Sequence, residues 1–190
     1  SIRDIANPIL KNFGLTATTF VITNQAGKLP DWYRLLEPYR DTSLLSQDEL
    51  CKMQDDGWEI LPHTHDHPVL SHLPIELQIH QIAISKETVQ KWFGGPANVL
   101  AYPYGQYNSD TIKAMSQCDM LAGLTLQFSV HMDKNNPYKW PRVGSAWFKD
   151  SDFRQHMAML GILESYVWLR GKLKGDRSVH YTAPTHETTR

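Results

Sequence analysis

Short apolar, β-branched runs alternate along this chain with stretches of helical periodicity, and that alternation restricts the fold more than any other feature. Ala17–Thr23, Trp58–Leu61 and Val99–Leu100 read as buried strands, and Leu121–Leu126 and Trp140–Val143 follow the same pattern. Between them, Ile2–Phe13 reads as an amphipathic helix with Ile5, Ile9, Leu10 and Phe13 on one face and Gly14 as its stop. Gln47–Asp56 follows Ser46, with Glu49 at the capping-box position. Pro74–Phe93 is the longest helical stretch, and another opens at Ser109 or Asp110 and runs to about Gln117. A strand that returns to its own sheet after a helix runs parallel to its predecessor, so the expected class is α/β with crossover helices.

The chain has 190 residues, 41% of them hydrophobic and 21% charged, enough for one domain with a sizeable core. A net charge of -1 removes the electrostatic case for nucleic acid or an anionic membrane, and no run of 18 apolar residues supplies a membrane segment. The two cysteines, Cys51 and Cys118, are expected as reduced core thiols, although the sequence alone leaves a disulfide open. Residues 1–150 are expected to form the domain and 151–174 a C-terminal helix packed on it, through Phe153, Met157, Leu160, Leu163 and Val167. The polar tail 175–190 is expected to be loose. The connection Asn24–Leu45 carries Trp32, Tyr33 and Tyr39. It either shapes a binding groove or packs on its own aromatics.

Chemistry gathers where the strand signals end. Trp58–Leu61 runs into His63-Thr64-His65-Asp66-His67-Pro68, and His63 and His67 have the spacing of a metal-ligand pair. Surface histidines are the bland alternative, since nine histidines sometimes fall at this spacing. Val99–Leu100 runs into Ala101-Tyr102-Pro103-Tyr104-Gly105-Gln106-Tyr107-Asn108, where Pro103 and Gly105 bracket Tyr104 in a tight turn. Such a turn either exposes a peptide N–H that can stabilise an oxyanion or simply packs its aromatics on a neighbouring loop.

With their order and spacing, these segments resemble the polysaccharide deacetylase family, the NodB-homology domain of carbohydrate esterase family four. The resemblance runs from Ile2 to Val143 and rests on Pro8–Ile22, Gly57–Ile60, His63–Leu70 and Tyr102–Asn108. It implies a distorted parallel (β/α) barrel and hydrolysis of acetyl groups on a sugar polymer. The implied substrate is an acetylated polysaccharide or oligosaccharide, in particular an N-acetylglucosamine polymer of the bacterial envelope. The implied cofactor is a divalent metal, Zn2+, on His63 and His67. Thr64 and Asp66 would orient the imidazoles, and the Tyr104 N–H would meet the oxyanion. Tyr102, Pro103 and Asn108 would line the substrate groove. His65 would point elsewhere, and His72 would lie at the surface.

The resemblance also marks departures. The family's first motif, Thr-Phe-Asp-Asp-Gly, supplies the general base and a third metal ligand. Ser1-Ile2-Arg3-Asp4 looks like the residues immediately downstream of that motif, so the expectation is a barrel without its first strand and a catalytically incomplete fragment. Asp55-Asp56-Gly57 imitates the motif, but it closes a helical pattern, where a charge pair is ordinarily solvated. Asp4 sits in a first helical turn, where it favours the dipole. Ala101 stands where the family keeps an Arg that pairs with the base. Arg142 is the candidate replacement, with an ordinary surface Arg as the alternative. His131 and His156 are the fallback candidates for the acid. A polysaccharide O-acetyl esterase, or a non-catalytic carbohydrate-binding or assembly module on the same fold, are the other readings. The parent would be a secreted or envelope-associated bacterial protein.

Overall fold

Two pairs of parallel strands, each joined through a helix, organise the fold. A computed structural model describes residues 2–30, 42–127, 133 and 135–142. Strand β1 (Thr18–Val21) pairs in parallel with β2 (Glu59–Pro62), with Thr18 opposite Glu59 and Val21 opposite Pro62. Strand β3 (Val99–Ala101) pairs in parallel with β4 (Ala122–Leu124), with Val99 opposite Ala122. A single parallel bridge continues from Leu124 to Trp140. The result is an α/β fold in which, among the described residues, the two small parallel strand pairs do not close into a barrel. Among the described residues β1 has one strand partner, β2.

The helices stop and start where local chemistry tells them to. Helix α1 (Asn7–Asn12) continues a π-helical turn, Ile2–Ala6, and ends at Gly14, whose φ is 65°. Helix α2 (Gln47–Asp55) opens on a capping box: Glu49 N–H donates to Ser46 Oγ and Ser46 N–H to Glu49 Oε2. Helix α3 (Ile75–Phe93) ends at Gly94 in the left-handed conformation. Helix α4 (Ser109–Gln117) is capped by Asn108, whose Oδ1 accepts from Thr111 N–H at 2.9 Å.

Helix α3 borders two apolar clusters. Ile82 packs with Leu70, Leu100, Tyr102 and Met115, whereas Val89 packs with Leu50, Met53, Trp58 and Ile60. The expected core face of α1 is corrected here. Ile5, Ile9 and Phe13 are 62%, 52% and 76% exposed, and of that face only Leu10 reaches the core. Polar anchors hold the helix instead. Trp58 Nε1–H donates to Asn7 Oδ1 at 2.7 Å, and Asp56 takes Asn7 Nδ2–H and the Lys11 ammonium. Asp56 thus has structural work at a helix end, with the Lys11 hydrogen bond foremost in holding its carboxyl below the usual range. Cys51 and Cys118 are both free thiols. The 151–174 helix, the 175–190 tail, Trp32, Tyr33, Tyr39, His131 and His156 lie outside the described residues.

Candidate active site

The C-terminal ends of β2 and β3 bring the two sequence motifs together. His63 follows β2 directly, and its backbone N–H donates to Val21 O at 2.8 Å, continuing the ladder. Its Nδ1 lies 2.6 Å from the carbonyl oxygen of Ala101, at the end of β3. A carbonyl can only accept, so Nδ1 carries the hydrogen and Nε2 keeps its lone pair. This is the arrangement of a histidine prepared to ligate a metal. Burial, opposed by the Ala101 hydrogen bond and helped by the nearby His67 and Arg142 charges, pushes the His63 pKa down to about 4. The ring is therefore neutral at physiological pH.

His67 completes the pair. Its ring centroid lies 4.8 Å from that of His63, with the planes at 66°, and burial lowers its pKa as well. The Tyr104 ring also packs on His67, at 4.8 Å between centroids and tilted by 52°. The turn that carries the pair is strained. Thr64 and His67 sit at φ 66° and 65°, and Tyr104 across from them at 57°. Left-handed backbone in a β-branched residue such as Thr64 costs on the order of 1–3 kcal/mol and persists only where surrounding contacts dictate it. Those contacts exist. Thr64 is fully buried, its Oγ1 accepts His67 N–H at 3.1 Å, and its carbonyl accepts Thr23 N–H at 3.3 Å.

The other expected site residues fall in different places. His65 turns away from the pair: its Nδ1 is 2.8 Å from Thr23 Oγ1. The Asp66 carboxylate accepts from Asn24 Nδ2 and Gln81 Nε2, both at 2.7 Å, so these bonds brace the turn rather than an imidazole of the pair. Tyr102 is fully buried, stacks on Tyr107 and donates its hydroxyl to Tyr138 O at 2.9 Å. Burial raises the Tyr102 pKa. Pro103 is buried too, and Asn108 spends its side chain on the α4 cap and on Ser71 O. Tyr102 and Pro103 are thus buried and Asn108 caps α4, while Tyr104 is 53% exposed. Arg142 Nε donates to Thr125 O at 2.9 Å, and its half-buried guanidinium lies within electrostatic range of His63.

Two contributors are not read from the sequence as site groups: the Ala101 carbonyl and the Gln81 side chain. Two neutral imidazoles, one with its tautomer set by a carbonyl, fit the nitrogen donors of a Zn2+-type site. Among the described residues no group of three His, Cys, Asp or Glu side chains is placed to hold an ion. The donor set is thus a matched pair, to which the described residues add no third ligand.

Parallel strand pairs joined through helices, with two histidines and a Tyr-Gly turn at their C-terminal ends, place the chain in the α/β class with its candidate site at the strand ends. The sequence pattern of the polysaccharide deacetylase family matches residues 4–123, and the chain belongs to that family. It is 32% identical over 152 residues to the poly-beta-1,6-N-acetyl-D-glucosamine N-deacetylase of Staphylococcus epidermidis, a match covering 75% of this chain and 50% of that protein. Identity to the Staphylococcus aureus protein of the same name is 28% over 152 residues. The chain thus spans about half the length of the curated relatives it matches. Among solved structures, IcaB from Ammonifex degensii superposes with a TM-score of 0.66 at 22% identity, covering 82% of this chain and 68% of that one. The Streptococcus pyogenes deacetylase PplD, in complex with acetate, gives 0.64 at 23% identity, covering 75% and 58%. These structures share the fold.

Proposed function

We propose that this chain carries the histidine half of a metal-dependent site that removes acetyl groups from an N-acetylated polysaccharide, an N-acetylglucosamine polymer of the bacterial envelope. One observation carries the reading: His63, held by the Ala101 carbonyl in the tautomer that leaves Nε2 available, faces His67 across 4.8 Å. Family membership and the names of the staphylococcal relatives support the substrate class. His63 and His67 would hold the ion, Zn2+ by donor type. Such an ion, when bound, supplies Lewis acidity to the acetyl carbonyl.

The chain's own residues have separable tasks. Thr64 fixes the backbone of His67 through Oγ1. Tyr104, in its left-handed turn, offers its N–H to the oxyanion that forms when the carbonyl is attacked. Its ring packs on His67. Arg142 would keep the carboxylate that serves as base ionised, since a cation nearby favours the charged form. Hydrolysis also needs an acid to protonate the departing amine. Neither acid nor base is assigned to a described residue.

The test is a Zn2+ titration of the chain and of His63→Ala and His67→Ala, paired with acetate release from N-acetylated and O-acetylated β-1,6-glucosamine oligomers. Both substitutions should weaken Zn2+ binding, and any acetate released should come from the N-acetylated oligomer. Equal Zn2+ uptake by all three proteins would defeat the metal assignment. Preference for the O-acetylated oligomer would turn the reading into an esterase.

A further inference from the structure

Three successive backbone N–H groups in the histidine turn are satisfied by side-chain oxygens. Gln81, on helix α3, uses one atom for two of them: its Oε1 accepts from His65 N–H at 3.2 Å and from Asp66 N–H at 2.9 Å. Thr64 Oγ1 takes the third, from His67. Gln81 Nε2 donates to Asp66 Oδ2 at 2.7 Å, and Asn24 Nδ2 donates to Asp66 Oδ1 at 2.7 Å. The turn is also tied to the short 3-10 turn Thr23–Gln25 that follows β1, because Asn24 N–H donates to His65 O at 3.0 Å.

We infer that Gln81 is a positioning residue for His67, acting as a clamp that fixes the strained Thr64–His67 turn and so sets the separation of the histidine pair. The inference rests on reading that pair as the metal site. Two left-handed residues bracket the turn, and unconstrained backbone would leave that conformation. Helix α3 is the rigid support: it is 19 residues long, and Ile82, the neighbour of Gln81, is fully buried. A glutamine suits the post because its two ends differ. The carbonyl accepts the two amide hydrogens, and the amide group supplies a hydrogen to the carboxylate beside them. A glutamate would accept the amides equally well but would repel Asp66.

That polarity allows a test by exchange. In Gln81→Ala, Zn2+ affinity should fall by about 10-fold, the low end of the effect of removing a direct partner of a metal ligand, because Gln81 acts on His67 only through the turn. Gln81→Glu should also bind Zn2+ more weakly, and adding Asp66→Asn to it should restore binding, because the hydrogen bond is remade in the opposite sense. A second readout needs no metal. Amide exchange at His65 and Asp66 should accelerate in Gln81→Ala, and the imidazole nitrogen shifts of His67 should change, while exchange at Val89 stays as in the parent. Failure of the parent to bind Zn2+ would overturn the proposed function, and the His67 shifts would then decide the clamp alone. Parental Zn2+ affinity in Gln81→Ala, or unchanged His67 shifts, would overturn the inference. Loss of affinity without rescue by the double variant would also overturn it.

Discussion

His63 joins stability to pH through its burial. In the unfolded chain an imidazole titrates at about 6.5, whereas in the fold His63 titrates at about 4. Between those values the unfolded state holds a proton that the folded state rejects, so stability falls as the pH drops from about 6.5 toward 4 and is flat above. The full effect is on the order of 3 kcal/mol, and the lowered pKa of His67 adds with the same sign. Asp56 and Glu49, whose carboxyls are held below their usual range, lose their contributions with the same sign as the pH falls through the unfolded carboxylate range of about 4, so their loss joins the acid end of the His63 window. Urea unfolding of the metal-free chain from pH 7.5 to 4.5 should show this slope, and His63→Ala should make it shallower, leaving the part due to His67. A wild-type profile flat across that interval would contradict the burial of His63. At Gly123 a side chain has no room, because a Cβ would meet Tyr102 Oη at 2.0 Å. Gly123→Ala must displace a buried phenol and should cost about 1–3 kcal/mol. Gly95→Ala has open space around it and serves as the control. Equal unfolding midpoints for the two variants would argue against the Tyr102 placement.

At the scale of elements, the cap of α4 separates a structural role from a binding one. Asn108→Ala removes the Thr111 N–H acceptor and the bond to Ser71 O. It should destabilise the chain by about 0.5–2 kcal/mol while leaving Zn2+ affinity unchanged. Weakened Zn2+ binding in a folded Asn108→Ala protein would return this residue to the site. The same contrast shows what the sequence made legible. Ser46, Glu49 and Gly94 act on their own neighbours, so the ends of α2 and α3 could be read directly. The histidine pair was legible because its spacing lies within one turn. The Ala101 carbonyl and Gln81 were not, since each meets the turn from a different element and a carbonyl leaves no trace in residue type. The face of α1 misled for a related reason. Ile5, Ile9 and Phe13 have core periodicity, yet the contacts that hold this helix run through Asn7 and Lys11. Ile9→Lys should therefore change stability by no more than about 0.5 kcal/mol, as exposed substitutions do. A loss of several kcal/mol on urea unfolding would show that this face is covered.

For the molecule as a whole, the question is whether the two strand pairs behave as one body. No ladder joins β2 to β3 among the described residues. Helix α3 gives Ile82 to one apolar cluster and Val89 to the other, and the His63–Ala101 hydrogen bond spans the strand ends. A helix shared by both clusters cannot lose one without exposing the other, which couples them in a single transition. Ile82→Ala, in the cluster around Leu100 and Tyr102, should cost about 2–5 kcal/mol, and Leu50→Ala, in the cluster around Trp58, a similar amount. The decisive measurement is native-state amide exchange at Leu61 on β2 and Leu100 on β3. Each substitution should lower protection at both amides by the same free energy. If Ile82→Ala loosened Leu100 alone and Leu50→Ala loosened Leu61 alone, the halves would open independently. The histidine site, built from the ends of both strand pairs, would then lose its Ala101 partner whenever either half opened.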